Sequence, residues 1–195
     1  MNTRMTLPLA FAVLSLAACK PDPVTPEPRV DPPLVLLSYD ASNQSAPLLP
    51  GGSYEGAIRL SALRLSPFAG GTLQDVYVYI QDLPASATLK IYRGAVAGTP
   101  GELVYSEPVF EELTANSWNQ HVLKRTVVLE DNTEYWIAFS FAHSRPQSVL
   151  GCDPGPASVD GDWMFDGADG QWRPLVLRTS GQIDINWNIR AVVNP

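Results

Sequence analysis

Four aspartates, Asp160, Asp162, Asp166 and Asp169, fall in the Gly-punctuated stretch 160–170. Ca²⁺ takes six to eight oxygens from flexible loops of this composition. Asp160 and Asp162 match the start of an EF-hand loop, but Met164 then occupies the third ligand position and Gln171 stands where a bidentate Glu is required. The same stretch also reads as a β-hairpin, with Trp163-Met164-Phe165 turning through Asp166-Gly167 or Asp169-Gly170 into Trp172. The hairpin is the expectation, and structural calcium on the four aspartates is the alternative. Beside these carboxylates, Trp163 and Trp172 have the character of a sugar platform, an apolar ring face with polar groups to orient hydroxyls. Strand tryptophans more often pack in a core, and the same holds for Trp118, Trp136 and Trp187.

Nucleophilic catalysis needs a nucleophile, a base within hydrogen-bond reach and an orienting acid. Cys152, His143 and Asp153 are near one another in sequence, which is weak support for such a group. His121 falls in a strand pattern as an outward polar residue, and no Gly-x-Ser-x-Gly elbow accompanies either histidine. Two histidines and one cysteine without ligand-pair spacing do not build a tetrahedral zinc site. Paired glycosidase carboxylates would come from separate strands, yet Glu102, Glu111 and Glu112 read as solvated turn charges. The inventory points to a non-enzymatic protein.

Chemistry of another kind is written at the N-terminus. Arg4, an apolar run from Leu7 to Leu16, and Leu16-Ala17-Ala18-Cys19 follow the order of a signal peptide with a small-residue cleavage site. The cysteine directly after the alanines resembles the bacterial lipobox, which implies a signal peptide over 1–18 and a diacylglyceryl thioether on Cys19. Each buried methylene of an acyl chain contributes about 0.8 kcal/mol of membrane affinity, so two or three chains make a lasting anchor. No later stretch approaches the roughly 20 apolar residues of a transmembrane helix. With Cys19 lipidated, Cys152 has no partner in the chain and is expected to be buried. Prolines 21, 23, 26, 28, 32 and 33 make 19–33 an extended spacer. Lys20 followed by Asp22 resembles the surface-export signal of Bacteroidota lipoproteins, which implies an outer-membrane lipoprotein displayed on the cell surface, with the periplasmic face as the alternative.

The elements that would carry these groups are strands. Asp and Glu number 20 against 13 Lys and Arg, so polyanions are poor partners and nucleic acid is not expected. Apolar residues make up 45% of the chain, enough for a real core. From Leu34 onward, short Val-, Ile- and aromatic-rich runs alternate with Gly, Pro, Asn and Asp, the pattern of an all-β sandwich. Runs are expected over 34–38, 57–65, 76–80, 88–92, 103–110, 121–128 and 135–141. The last, with Ile183, Ile185, Trp187, Ile189 and Ala191 alternating against Asp184, Asn186, Asn188 and Arg190, promises one core face and one solvent face. The expected fold is therefore a single antiparallel, jelly-roll-like β-sandwich over 34–195.

Particular pieces carry a family resemblance: Ala57-Ile58-Arg59-Leu60, the run Val76 to Ile80, Leu89 to Gly94, Trp118-Asn119, Tyr135-Trp136-Ile137, Cys152 to Pro156, and Asn186 to Ala191. In this order they resemble a β-sandwich module of secreted and surface proteins of Bacteroidota, related to jelly-roll adhesin modules. The resemblance implies a surface-displayed binding or structural module without established catalysis, and nothing sharper. The expected role is non-enzymatic binding, adhesion or structure, with carbohydrate or a surface protein as partner; a carbohydrate-binding component of a surface glycan-uptake system, and after it a hydrolase, are the alternatives. Replacing Cys19 (Cys19→Ala) is expected to abolish acyl labelling and release the protein from the membrane fraction. Unchanged membrane retention of an unprocessed chain would contradict the anchor.

Overall fold

The computed structural model describes residues 33–195; the signal peptide, Cys19 and the spacer as far as residue 32 lie outside the described residues. Ten strands run in order: β1 Val35–Ser38, β2 Gly52–Leu60, β3 Thr72–Ile80, β4 Ser86–Val96, β5 Thr99–Pro108, β6 Ser117–Val128, β7 Tyr135–His143, β8 Trp163–Asp166, β9 Gln171–Pro174 and β10 Ile189–Asn194. They form two sheets, β1-β10-β3-β6 and β5-β4-β7-β2-β8-β9. Every pairing within them is antiparallel. This is the all-β sandwich that the spacing of apolar runs predicts.

Period-2 alternation builds the core. Val76, Val78 and Ile80 of β3 face Leu89 and Ile91 of β4 and Ile137 and Phe139 of β7 within one buried cluster. Tyr77 and Tyr79, on the opposite side of β3, are half-buried. The strand β7 departs from simple alternation, because Tyr135 through Phe139 are all buried. Its inward residues join the sandwich core, and Trp136 and Ala138 join Ala57 in a second apolar cluster on the outer face of the larger sheet.

Three elements differ from the expectation. Residues 61–65 leave β2 and enter a short helix, α1 (Ala62–Leu65), because the Ser61 hydroxyl accepts the amide of Arg64 and caps a turn there. The β4–β5 turn falls at Ala97-Gly98, with φ of 52° and 80°, and Val96 pairs Thr99. Positive φ at both central positions is the two-residue geometry that matches strand twist, so β5 begins at Thr99 rather than at residue 103. The largest difference is the final strand, which begins only at Ile189. Asn186 and Asn188 are buried rather than solvated. Their amides fasten neighbouring loops: Asn186 Nδ2 donates to Asp153 and to the Pro156 carbonyl, and Asn188 Nδ2 donates to Asp40.

Two buried carboxylates fasten irregular chain to the sheets. Asp153 accepts from the amides of Ala41 (3.2 Å), Gly155 (2.9 Å) and Asn186 (2.7 Å) as well as from the Asn186 side chain. Asp162, 1% exposed, accepts the Val176 amide at 2.8 Å at the start of a second short helix, α2 (Leu175–Arg178). Burial pushes the Asp162 carboxyl above the usual carboxylate range, against the backbone bonds that lower it.

Asp153→Ala orphans several buried donors, and each such donor costs about 1–3 kcal/mol; urea denaturation should show a loss of about 2–3 kcal/mol. A loss below about 1 kcal/mol would contradict this fastening role. For Asp162, folding raises the pKa, so its contribution is fully present below the unfolded value near 4 and is lost as pH rises through the folded value. Asp162→Asn, which keeps an acceptor for Val176, should flatten that decline in melting curves taken from pH 4 upward. An unchanged pH profile would contradict the assignment.

Candidate functional site

The hairpin reading of 163–172 holds: β8 pairs β9 with Asp166 opposite Gln171. Both of its tryptophans stand on the outer face of the larger sheet. Trp163 lies 4.8 Å from Trp136 and Trp172 6.0 Å from it, centroid to centroid, both edge-on. Trp172 also meets Tyr92 of β4 at 6.3 Å. Ala57 and Ala138, between those strands, have no exposed surface. Small residues at the middle of the sheet thus let large rings from its flanks close over them. Trp163 and Trp172 are half-buried, and the Trp163 indole nitrogen is buried without a partner. Their rings complete an apolar layer and offer little free face.

Next to this layer sits an acid that sequence reasoning missed. Glu55 of β2, 9% exposed, pairs with Lys90 and accepts the Tyr92 hydroxyl at 2.9 Å. Burial, and then Glu55, push the Tyr92 phenol up. The strand was expected to begin at Ala57, which left Glu55 off the sheet.

The four aspartates are held by several different groups, with Asp166 and Asp169 sharing Arg178. Asp160 faces Arg59 at 3.5 Å, Asp162 caps α2, and Asp166 accepts the Ala168 amide. Arg178 lies 2.8 Å from Asp169 and 3.7 Å from Asp166, and it holds the Asp169 carboxyl below its usual range. Among the described residues, no three His, Cys, Asp or Glu side chains group as a metal site.

Cys152, His143 and Asp153 are all buried, and no hydrogen bond joins any two of them. Cys152 contacts the Ser45 hydroxyl at 3.5 Å, and burial pushes its thiol up. His143 bonds the Arg145 carbonyl through Nδ1 at 2.7 Å, and its ring stacks on Tyr54. His121 points inward, not outward as its strand position suggested. It is 8% exposed and lies between the Tyr105 hydroxyl (3.0 Å) and Glu112 (3.1 Å).

The outer face of the smaller sheet has a different character, since among the described residues no second apolar layer covers it. Adjacent strands place Leu36 opposite Val192, Arg190 opposite Tyr77, and Tyr79 opposite Trp118. Leu34 and Leu36 are 55% and 52% exposed. With Tyr77, Trp118, Asp75 and Arg190 they line a groove of about 430 Å³. Arg190 is locked in place: Asp40, whose side chain has no exposed surface, receives Nη2 at 2.6 Å and Nε at 3.0 Å. The guanidinium then lies 4.1 Å over the Trp118 ring, a favourable cation–π position. At the other end Asp75 accepts Gln120 Nε2 at 3.3 Å. Aromatic rings, planar polar groups and aliphatic walls converge here as they do in small-molecule sites. The two tyrosines on the coreless side of β3 were the one sequence signal that pointed to this face.

No family model matches the sequence, and no curated protein is significantly similar to it. Among solved structures the chain is similar to the clostridial cysteine protease Cwp84 after propeptide cleavage, with a TM-score of 0.56 and 11% identity over 83% of this chain and 40% of that one. It is also similar to a structure of the cysteine protease and lectin-like domains of Cwp84, a surface layer associated protein of Clostridium difficile, with a TM-score of 0.50 and 12% identity over 73% of this chain and 32% of that one. The chain therefore spans less than half of the proteins it resembles, and at these identities the likeness is one of fold.

Proposed function

We propose that the chain is a non-catalytic, lipid-anchored module of the outer cell surface that binds a glycan in the groove of its smaller sheet. The single observation that carries this reading is the groove itself, in which Trp118 and Tyr77 meet Asp75 and Arg190 on a face that no other described residue covers. Sugar rings present apolar C–H faces that suit aromatic rings, and their hydroxyls suit fixed planar donors and acceptors. The lipobox at Cys19 and the proline spacer support display away from the membrane. The description of Cwp84 as holding lectin-like domains agrees with a binding role for a similar fold. Burial of Cys152 and the bond of His143 to a backbone carbonyl favour binding over thiol catalysis.

The test is retention of the detergent-solubilised full chain on a panel of immobilised polysaccharides. Trp118→Ala and Tyr77→Ala should each weaken retention about tenfold or more, equivalent to about 1.4 kcal/mol, with an unchanged circular dichroism spectrum. Trp163→Ala and Trp172→Ala should leave retention intact wherever the fold survives. Failure to retain any polysaccharide would overturn the proposal, as would loss of retention in folded Trp172→Ala but not in Trp118→Ala.

A further inference from the structure

We infer that the groove selects a glycan bearing a protonated amine, an inference that rests on the glycan reading above. The argument is one of charge. Among the described residues, two charged side chains line the groove, Asp75 and Arg190. Arg190 does not act as a free cation. Its fork is taken by the buried Asp40, with Nε at 3.0 and 3.2 Å and Nη2 at 2.6 Å from the carboxylate oxygens. The pair is neutral as a unit, and its guanidinium plane is covered on one side by Trp118. What remains is Asp75, whose hydrogen bond within the described residues comes from the neutral Gln120 amide. The net charge that the described residues present to a ligand is therefore a single negative one.

A bound ligand would remove water from Asp75. Desolvating a carboxylate is unfavourable unless a cation or several donors replace the water. An ammonium on the ligand meets this need, and the Tyr77 ring in the same groove attracts cations as well. A neutral sugar leaves the carboxylate with hydroxyl donors alone, and a uronic or sulfated sugar is repelled. Aliphatic walls from Leu34, Leu36 and Val192 suit the C–H faces of the ring rather than a second charge. The result is a site for an amino sugar whose nitrogen is free, in contrast to its N-acetylated form.

Three oligosaccharide probes of equal length test this on the full chain by titration calorimetry: glucosamine oligomers, their N-acetylated counterparts and a uronic-acid oligomer. A lysine-rich peptide is the fourth arm. The free-amine oligomer should bind at least tenfold more tightly than the acetylated one and lose affinity as salt is raised. Asp75→Asn should bring the two within about twofold of each other with an unchanged melting temperature. Asp131→Asn, which removes an exposed turn charge remote from the groove, should preserve the preference and so exclude an effect of the net charge of −7. Equal binding of amine and acetyl forms would overturn this inference and leave the glycan reading standing. Binding of the peptide but of no oligosaccharide would overturn both.

Discussion

The architecture depends on β7 being buried on both of its sides. A six-stranded sheet packed against a four-stranded one has a core on its inner face, and its outer face would ordinarily be wet. Here Trp136, with no exposed surface, makes that outer face apolar, and the chain must cover it. Ala57 and Ala138 keep the centre low, while Trp163, Trp172 and Tyr92 close over it from the flanks. The hairpin of β8 and β9 exists to bring two of those rings, and the Arg178 pairs with Asp166 and Asp169 brace its turn.

That arrangement leaves the two outer faces unequal. On the larger sheet the aromatics are occupied with one another, and Glu55 is neutralised by Lys90. On the smaller sheet one ion pair, Asp40 with Arg190, organises the surface. The buried carboxylate holds the guanidinium flat on Trp118, and Asn188 adds a further bond to the same carboxylate. A rigid aromatic-guanidinium stack beside half-buried Tyr77 is a preformed wall, so little ordering is required when a ligand arrives. The proposed binding falls on the face that the packing of the described residues leaves open.

Much of this fold is readable in the chain itself. Alternation from Val76 to Ile80 separates core from surface correctly, and Asp-Gly dipeptides announce the hairpin that carries Trp163 and Trp172. Alternation misled at Ile183 to Ala191, because Asn186 and Asn188 look like solvent-facing strand residues while their amides serve as buried fasteners for loops more than thirty positions away, among them Asp153 and Asp40. His121 misled in the same way, since its polarity is satisfied inside by Tyr105 and Glu112. The groove was hidden for a different reason. Its residues run from Leu34 to Val192 on four strands, and only the sheet order β1-β10-β3-β6 makes them neighbours. Local spacing does not reveal such a set; the two tyrosines on the side of β3 away from the core mark the face but not its other residues.

The most direct measurement is indole ¹⁵N–¹H NMR of the five tryptophans during titration with a glucosamine oligomer. The account predicts that the Trp118 resonance shifts in a saturable manner while those of Trp136, Trp163, Trp172 and Trp187 stay in place. Saturable shifts at Trp163 and Trp172 with Trp118 unmoved would contradict it.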